Sequence, residues 1–168
     1  MISKKDIVEF LQSPDIQALL SEENLDKVYS LYEERVSNKL QEYSCTLTQY
    51  LLSIGIQPLD YVTHIREGMF IDCSIEEIHI PGNMGDIPGY VFVECDKLKK
   101  VIIEPGVTHI INDAFDGCDN LTEVVIPKTV RVIGDLAFID CSPFIIKCFE
   151  NSEGHKFALR NGYDFELM

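Results

Sequence analysis

Apolar residues return along the C-terminal two thirds of the chain at a fixed interval of 23 residues. Aligning Ile75 to Lys97, Leu98 to Asn120 and Leu121 to Pro143, with a further unit opening at Phe144, sorts like residues into columns. The first column reads Ile75, Leu98, Leu121, Phe144; the fourth reads Ile78, Val101, Val124, Lys147; the sixth reads Ile80, Ile103, Ile126, Phe149. Further along each unit come Met84, Val107, Val130, then Ile87, Ile110, Ile133, then Val91, Ala114, Ala137 beside Phe92, Phe115, Phe138. Cys95, Cys118 and Cys141 close the pattern. Apolar residues two apart at the fourth and sixth columns predict a short strand in each unit, because strand side chains alternate between two faces. Upstream, Val62 to Ile65 repeats Val107 to Ile110 residue for residue, and Phe70 and Cys73 follow at the offsets of Phe115 and Cys118. A degenerate unit therefore precedes Ile75, one residue short at its junction.

Self-similarity at this period marks a leucine-rich repeat, in which stacked coils bury what no single coil could. Leu121 to Cys141, with Ile126-Pro127 after the strand and an Ala137-Phe138-x-x-Cys141 turn, resembles the BspA-type leucine-rich repeat. Phe144 to Met168 is similar to the closing unit of that family: a last strand, a short helix over about Glu153 to Asn161 stopped by Gly162, and a final strand from Tyr163 to Leu167. The resemblance runs over about 62 to 168 and leaves the N-terminal third unassigned. Gly82, Gly85, Pro88 and Gly89 depart from the pattern in the first full unit and predict a bulged backbone there.

The N-terminal third changes to a helical period. Ser3 is placed to cap a helix reaching about Leu11, Ser13-Pro14 starts a second, and Ser21 starts a longer one with Leu25, Val28, Tyr29, Leu31, Tyr32 and Val36 on one broad face. Thr46 with Gln49 has capping-box spacing before Leu51, Leu52 and Ile54, and Gly55 is a natural stop. The fold class that follows is α+β: a short leucine-rich-repeat solenoid of 23-residue coils, with an N-terminal helical cap and a C-terminal helix and strand cap. Residues 1–55 are expected to be a helical cap or interaction region, and residues 56–168 the solenoid with its C-terminal cap. A cap is needed because a bare first coil would expose a strand edge and an apolar end.

Charge narrows the partners. The 28 acidic residues exceed the 14 basic ones, for a formal net charge of −14, which disfavours direct nucleic-acid binding and favours a protein partner, a basic one on electrostatic grounds. Neither a run of about 18 apolar residues nor an apolar signal core is present, so the chain reads as cytoplasmic, bound to no membrane, and monomeric or homodimeric. The six cysteines include no Cys-x-x-Cys pair and are expected to be reduced. Four of them, Cys73, Cys95, Cys118 and Cys141, share one column, and a linear row suits packing better than the tetrahedron that zinc requires. Cys45 lies outside that column, and Cys148 is expected on the solvent side of its strand.

His64, Asp86 and His109 share an outward column and make the one candidate metal row, although outward polar columns need no function. No order of Ser, His and Asp, no glycine-rich phosphate loop and no His-Glu-x-x-His stands at a workable spacing. The expectation is a non-catalytic interaction module, an adaptor or scaffold without metal or cofactor. Its partner would meet the strand face, where His79, Ile102, Val125 and Cys148 form one outward row flanked by Glu77, Lys100, Glu123 and Ile146. The alternative surface is the turn after each Phe, where Asp72, Glu94, Asp96, Asp116, Asp119 and Asp140 recur. By analogy of size and charge alone, that edge resembles small acidic inhibitors, nucleic-acid mimics encoded by phages or mobile elements, which block basic host-defence or nucleic-acid-binding proteins.

Overall fold

The computed structural model describes residues 12–14, 16, 18, 27, 28, 30, 31 and 65–168. The chain divides into two compact units, Met1–Thr63 and His64–Met168. In the first, Pro14, Ile16 and Ala18 are helical, as are Lys27, Val28, Ser30 and Leu31, with Ile16 and Val28 buried. These residues fall where Ser13-Pro14 and Ser21 were read as helix starts. The caps assigned to Ser3, Ser21, Thr46 and Gly55 lie outside the described residues.

The second unit is built from β1 (Glu77–Ile80), β2 (Lys100–Ile103), β3 (His109–Ile110), β4 (Glu123–Val125), β5 (Val132–Ile133), β6 (Ile145–Cys148), α1 (Glu153–Asn161) and β7 (Asp164–Leu167). Five strands form one parallel sheet in the order β1-β2-β4-β6-β7. β3 and β5 pair in a second short parallel ladder, extended by a bridge from Ile87 to Ile110. The alternation seen in the sequence sets the faces: in β1, Glu77 and His79 are exposed while Ile78 and Ile80 are buried. Val101, Ile103, Val124 and Ile126 continue the two buried rows.

A third stacked row carries the aromatic core. Phe70, Phe92, Phe115 and Phe138 stack ring on ring at centroid spacings of 5.1, 5.0 and 5.0 Å, all of them buried. Their backbones are laced together: Phe70 N–H donates to Val91 O at 2.9 Å, Phe92 N–H to Ala114 O at 2.8 Å, and Phe115 N–H to Ala137 O at 2.9 Å. The cysteine column finishes this row. The thiols of Cys95, Cys118 and Cys141 donate to the carbonyl oxygens of Phe70, Phe92 and Phe115 at 2.9, 3.1 and 3.0 Å. A small apolar side chain with one weak donor suits a buried position facing a carbonyl that needs a partner.

Two details follow from close packing. The first full unit does depart from its neighbours: Gly82–Met84 form a 3-10 turn, and a Cβ at Gly82 would collide with the Pro105 carbonyl oxygen of the next coil. The last unit slips by one residue. Val124 pairs with Ile146, and Val125 with Lys147, so Ile146 and Cys148 point inward and are fully buried. This corrects the outward placement expected for Ile146 and Cys148. Keeping Lys147 in the fourth column would have buried an ammonium group, whereas a one-residue shift exchanges the two faces and returns it to solvent.

Ser152 caps α1, its side chain accepting from His155 N–H at 3.3 Å, and Gly162 ends the helix in the left-handed region at φ 75°. Phe157 from the helix packs 5.9 Å from Phe138, at the end of the ring stack.

Candidate functional site

The strand face is defined by which side chains the sheet turns outward. His79, Ile102 and Val125 form one row, continued by Lys147 and Glu166; Glu77, Lys100, Glu123, Ile145 and Asp164 form the next. Strands about 4.8 Å apart bring successive charges within reach of one another. The result is an unbroken ionic ladder of alternating sign. Lys100 Nζ lies 3.7 Å from Glu77 and 3.5 Å from Glu123, and Lys147 Nζ lies 2.9 Å from Glu123 and 3.7 Å from Glu166. His79 adds a 3.3 Å contact to Glu77. The hydrogen bond from Lys147 holds the Glu123 carboxyl below its ordinary range, with further lowering from Lys100, and Glu123 raises Lys147 in return. Ile102 and Val125 are half-buried beside this ladder.

All six carboxylates of the turn edge converge. Asp72, Glu94, Asp96, Asp116, Asp119 and Asp140 line one open depression of about 560 Å³ together with Gly117. The backbone makes this possible by adopting the left-handed conformation at the same point of each coil: Asp72 (φ 53°), Glu94 (φ 54°), Gly117 (φ 68°) and Asp140 (φ 54°). Stacking is again direct, with Glu94 N–H donating to Asp116 O at 2.8 Å and Gly117 N–H to Ile139 O at 3.0 Å. Among the described residues no cation lines the depression. Burial, and then repulsion from Asp140, Asp113 and Glu94, pushes the Asp116 carboxyl above its ordinary range.

Two members of the proposed metal row are adjacent. Asp86 Oδ1 accepts from Thr108 Oγ1 at 2.7 Å and from His109 Nδ1 at 2.8 Å, and the Thr108 hydrogen bond is the main cause of a lowered Asp86 pKa. His64, the third member, lies outside the described residues. Among the described residues no group of three or more His, Cys, Asp or Glu side chains stands close enough to hold a metal ion.

None of the five described cysteines, Cys73, Cys95, Cys118, Cys141 and Cys148, is in a disulfide, and Cys45 lies outside the described residues. Cys118 beside it and burial push the Cys141 thiol strongly up, and Cys148 is raised by burial. These groups stay protonated near neutral pH, which is the state that packs and not the one that reacts.

Reading the columns alone missed Lys147 and Glu166 as ladder members. The signal was present: a lysine in a column otherwise filled by Ile78, Val101 and Val124 marks a register shift. No helix of the described residues is long and apolar enough to cross a membrane.

Comparison with curated proteins and with solved structures finds no match. The family model for the BspA type leucine-rich repeat region matches residues 33–145 in six copies. The match begins upstream of residue 62 and takes in residues to which the sequence pattern assigns a helical period. It covers well over half of the sequence, spanning β1 to β5 and all four stacked rings from Phe70 to Phe138, and the chain belongs to the BspA-type leucine-rich-repeat family.

Proposed function

We propose that this chain is a non-catalytic protein-binding module, a short solenoid that ends in α1 and β7 and whose strand face meets the partner. The observation that carries the reading is the apolar centre of that face, Ile102 and Val125, standing half-buried beside a ladder of charges paired within the sheet. An apolar centre with a polar rim is the anatomy of a protein interface, and paired rim charges cost little to bring against a second surface. His79, Lys100 and Glu123 supply the rim; Lys147 takes the place first given to Ile146.

The test is capture of partners by the full chain at low and high salt, compared with the Ile102→Glu, Val125→Glu double variant. Loss of a salt-resistant partner in a variant with unchanged thermal unfolding supports the strand face. Retention of that partner overturns it.

A second reading rests on the depression lined by Asp72, Glu94, Asp96, Asp116, Asp119 and Asp140. Like charges gathered in one depression repel one another and are relieved by a cationic surface, so a basic partner is the complement, as an acidic inhibitor would require. Here affinity falls steeply with salt, and a flat salt dependence refutes it.

A further inference from the structure

β7 ends the sheet order, and among the described residues no strand lies beyond it. All four of its residues are exposed, including Phe165 at 38% and Leu167 at 48%, and Met168 next to it is 50% exposed. Met168 N–H donates to Cys148 O at 2.9 Å, so the main-chain groups of Asp164, Glu166 and Met168 face β6. By the alternation of a strand, the N–H and C=O groups of Phe165 and Leu167 face away from it. A strand edge of this kind is a template for another strand; β7 has no lysine, proline or bulge to blunt it, and its two charges, Asp164 and Glu166, repel an acidic strand while admitting a basic one.

The side chains state what the added strand would look like. Register with β6 places Asp164 and Glu166 on the outward face, beside Ile145 and Lys147. It places Phe165 and Leu167 in line with the buried Ile146 and Cys148, where they continue the core rows into solvent. The ladder of alternating sign on the outward face ends on Glu166, an acid with its far side open. A second copy of β7 fits poorly, since it would set Asp164 and Glu166 against the same carboxylates in a chain of net charge −14. We propose that the outer edge of β7 takes an extended protein segment as an added strand. Basic residues of that segment face Asp164 and Glu166, alternating with apolar residues that cover Phe165 and Leu167. The edge is distinct from the strand face centred on Ile102 and Val125, and the two surfaces can fail separately.

The experiment titrates the full chain with a synthetic peptide alternating lysine and valine, with a peptide alternating glutamate and valine as the comparison. Binding of the lysine peptide alone is expected. Leu167→Pro removes an N–H that faces away from β6 and should weaken binding by about tenfold, the worth of a backbone hydrogen bond and its neighbours. Glu166→Lys keeps the backbone and should reverse the preference between the two peptides. Ile102→Glu with Val125→Glu should leave peptide binding unchanged. Equal binding of both peptides, or of the lysine peptide by Glu166→Lys and the original chain alike, overturns the proposal. So does a dimer of the original chain, seen by sedimentation, that Leu167→Pro dissociates, because the edge would then belong to a second copy.

Discussion

The strand face and the turn edge are made by the same device and come out electrostatically opposite. Both are columns of residues repeated coil by coil, close enough for neighbouring charges to act on one another. On the strand face the column alternates in sign, Glu77, Lys100, Glu123, then Lys147 reaching over from the adjacent row, then Glu166. On the turn edge each coil adds another acid, and the six meet around one depression with no cation in its lining among the described residues. A repeat multiplies whatever each position contributes: alternation becomes a stabilising ladder, and uniformity becomes a field. The two surfaces therefore offer partners different things, an apolar centre with a rim of paired charges in one case and unpaired negative charge in the other.

Both surfaces depend on the ring stack that keeps the coils in register. Phe115 sits in its middle, 5.0 Å from Phe92 and from Phe138. Phe115→Ala should cost about 3–5 kcal/mol and degrade both surfaces together, read as a fall in the urea midpoint. A loss confined to one surface would show that the two are not held by a common core. Next in size is the thiol that donates to the Phe92 carbonyl: Cys118→Ala should cost about 1–3 kcal/mol by leaving that buried acceptor without its donor. Chemical denaturation of Cys118→Ala checks this, and an unchanged midpoint would reduce the cysteine column to filler.

Smaller effects separate the two faces by sign. Glu123→Lys sets three positive charges side by side between Lys100 and Lys147 and should destabilise by about 1 kcal/mol, less at high salt. Glu94→Gly acts on the other surface. It removes one carboxylate from the depression and relieves a left-handed backbone at φ 54°, so it should stabilise by up to about 1 kcal/mol. A calorimetric comparison in which both variants shift the same way would erase the contrast.

Much of this was legible in the residues. The columns placed β1, β2 and β4, their buried rows and the Phe and Cys columns correctly, because side-chain alternation and the repeat period fix them with no knowledge of the rest, whereas the second ladder of β3 and β5 was not read. The helix from Glu153 to Asn161 was implied by the resemblance of Phe144 to Met168 to the family's closing unit and by Gly162 as its stop; the Ser152 cap at its start was not read. The slip at β6 was not read, because carrying the 23-residue interval past Pro143 put Ile146 outside and Lys147 inside; the cost of burying an ammonium was the overriding term. The acidic residues were identified by recurrence, but their convergence on one depression depends on left-handed turns at Asp72, Glu94 and Asp140, residue types that disguise such a turn where glycine at Gly117 announces it. That the thiols bond to Phe carbonyls was also beyond the columns, since it depends on how one coil lies over the next.

The contrast is tested most directly by thermal unfolding of the original chain, Asp116→Asn and Glu123→Gln across pH and salt. Asp116 has a folded pKa above its ordinary 3.8, so its ionised form opposes folding, and that penalty is relieved as pH falls through the raised value. Glu123 has a folded pKa below its ordinary 4.5, so its support is present above that value and is lost as pH falls through the lowered one. At neutral pH and low salt Asp116→Asn should raise the melting temperature and Glu123→Gln should lower it. Each change should be less than about 1 kcal/mol, and each should shrink in high salt and in acid. Destabilisation by Asp116→Asn, or a gain in stability from Glu123→Gln, would contradict the account of one repeat carrying a balanced face and an unbalanced edge.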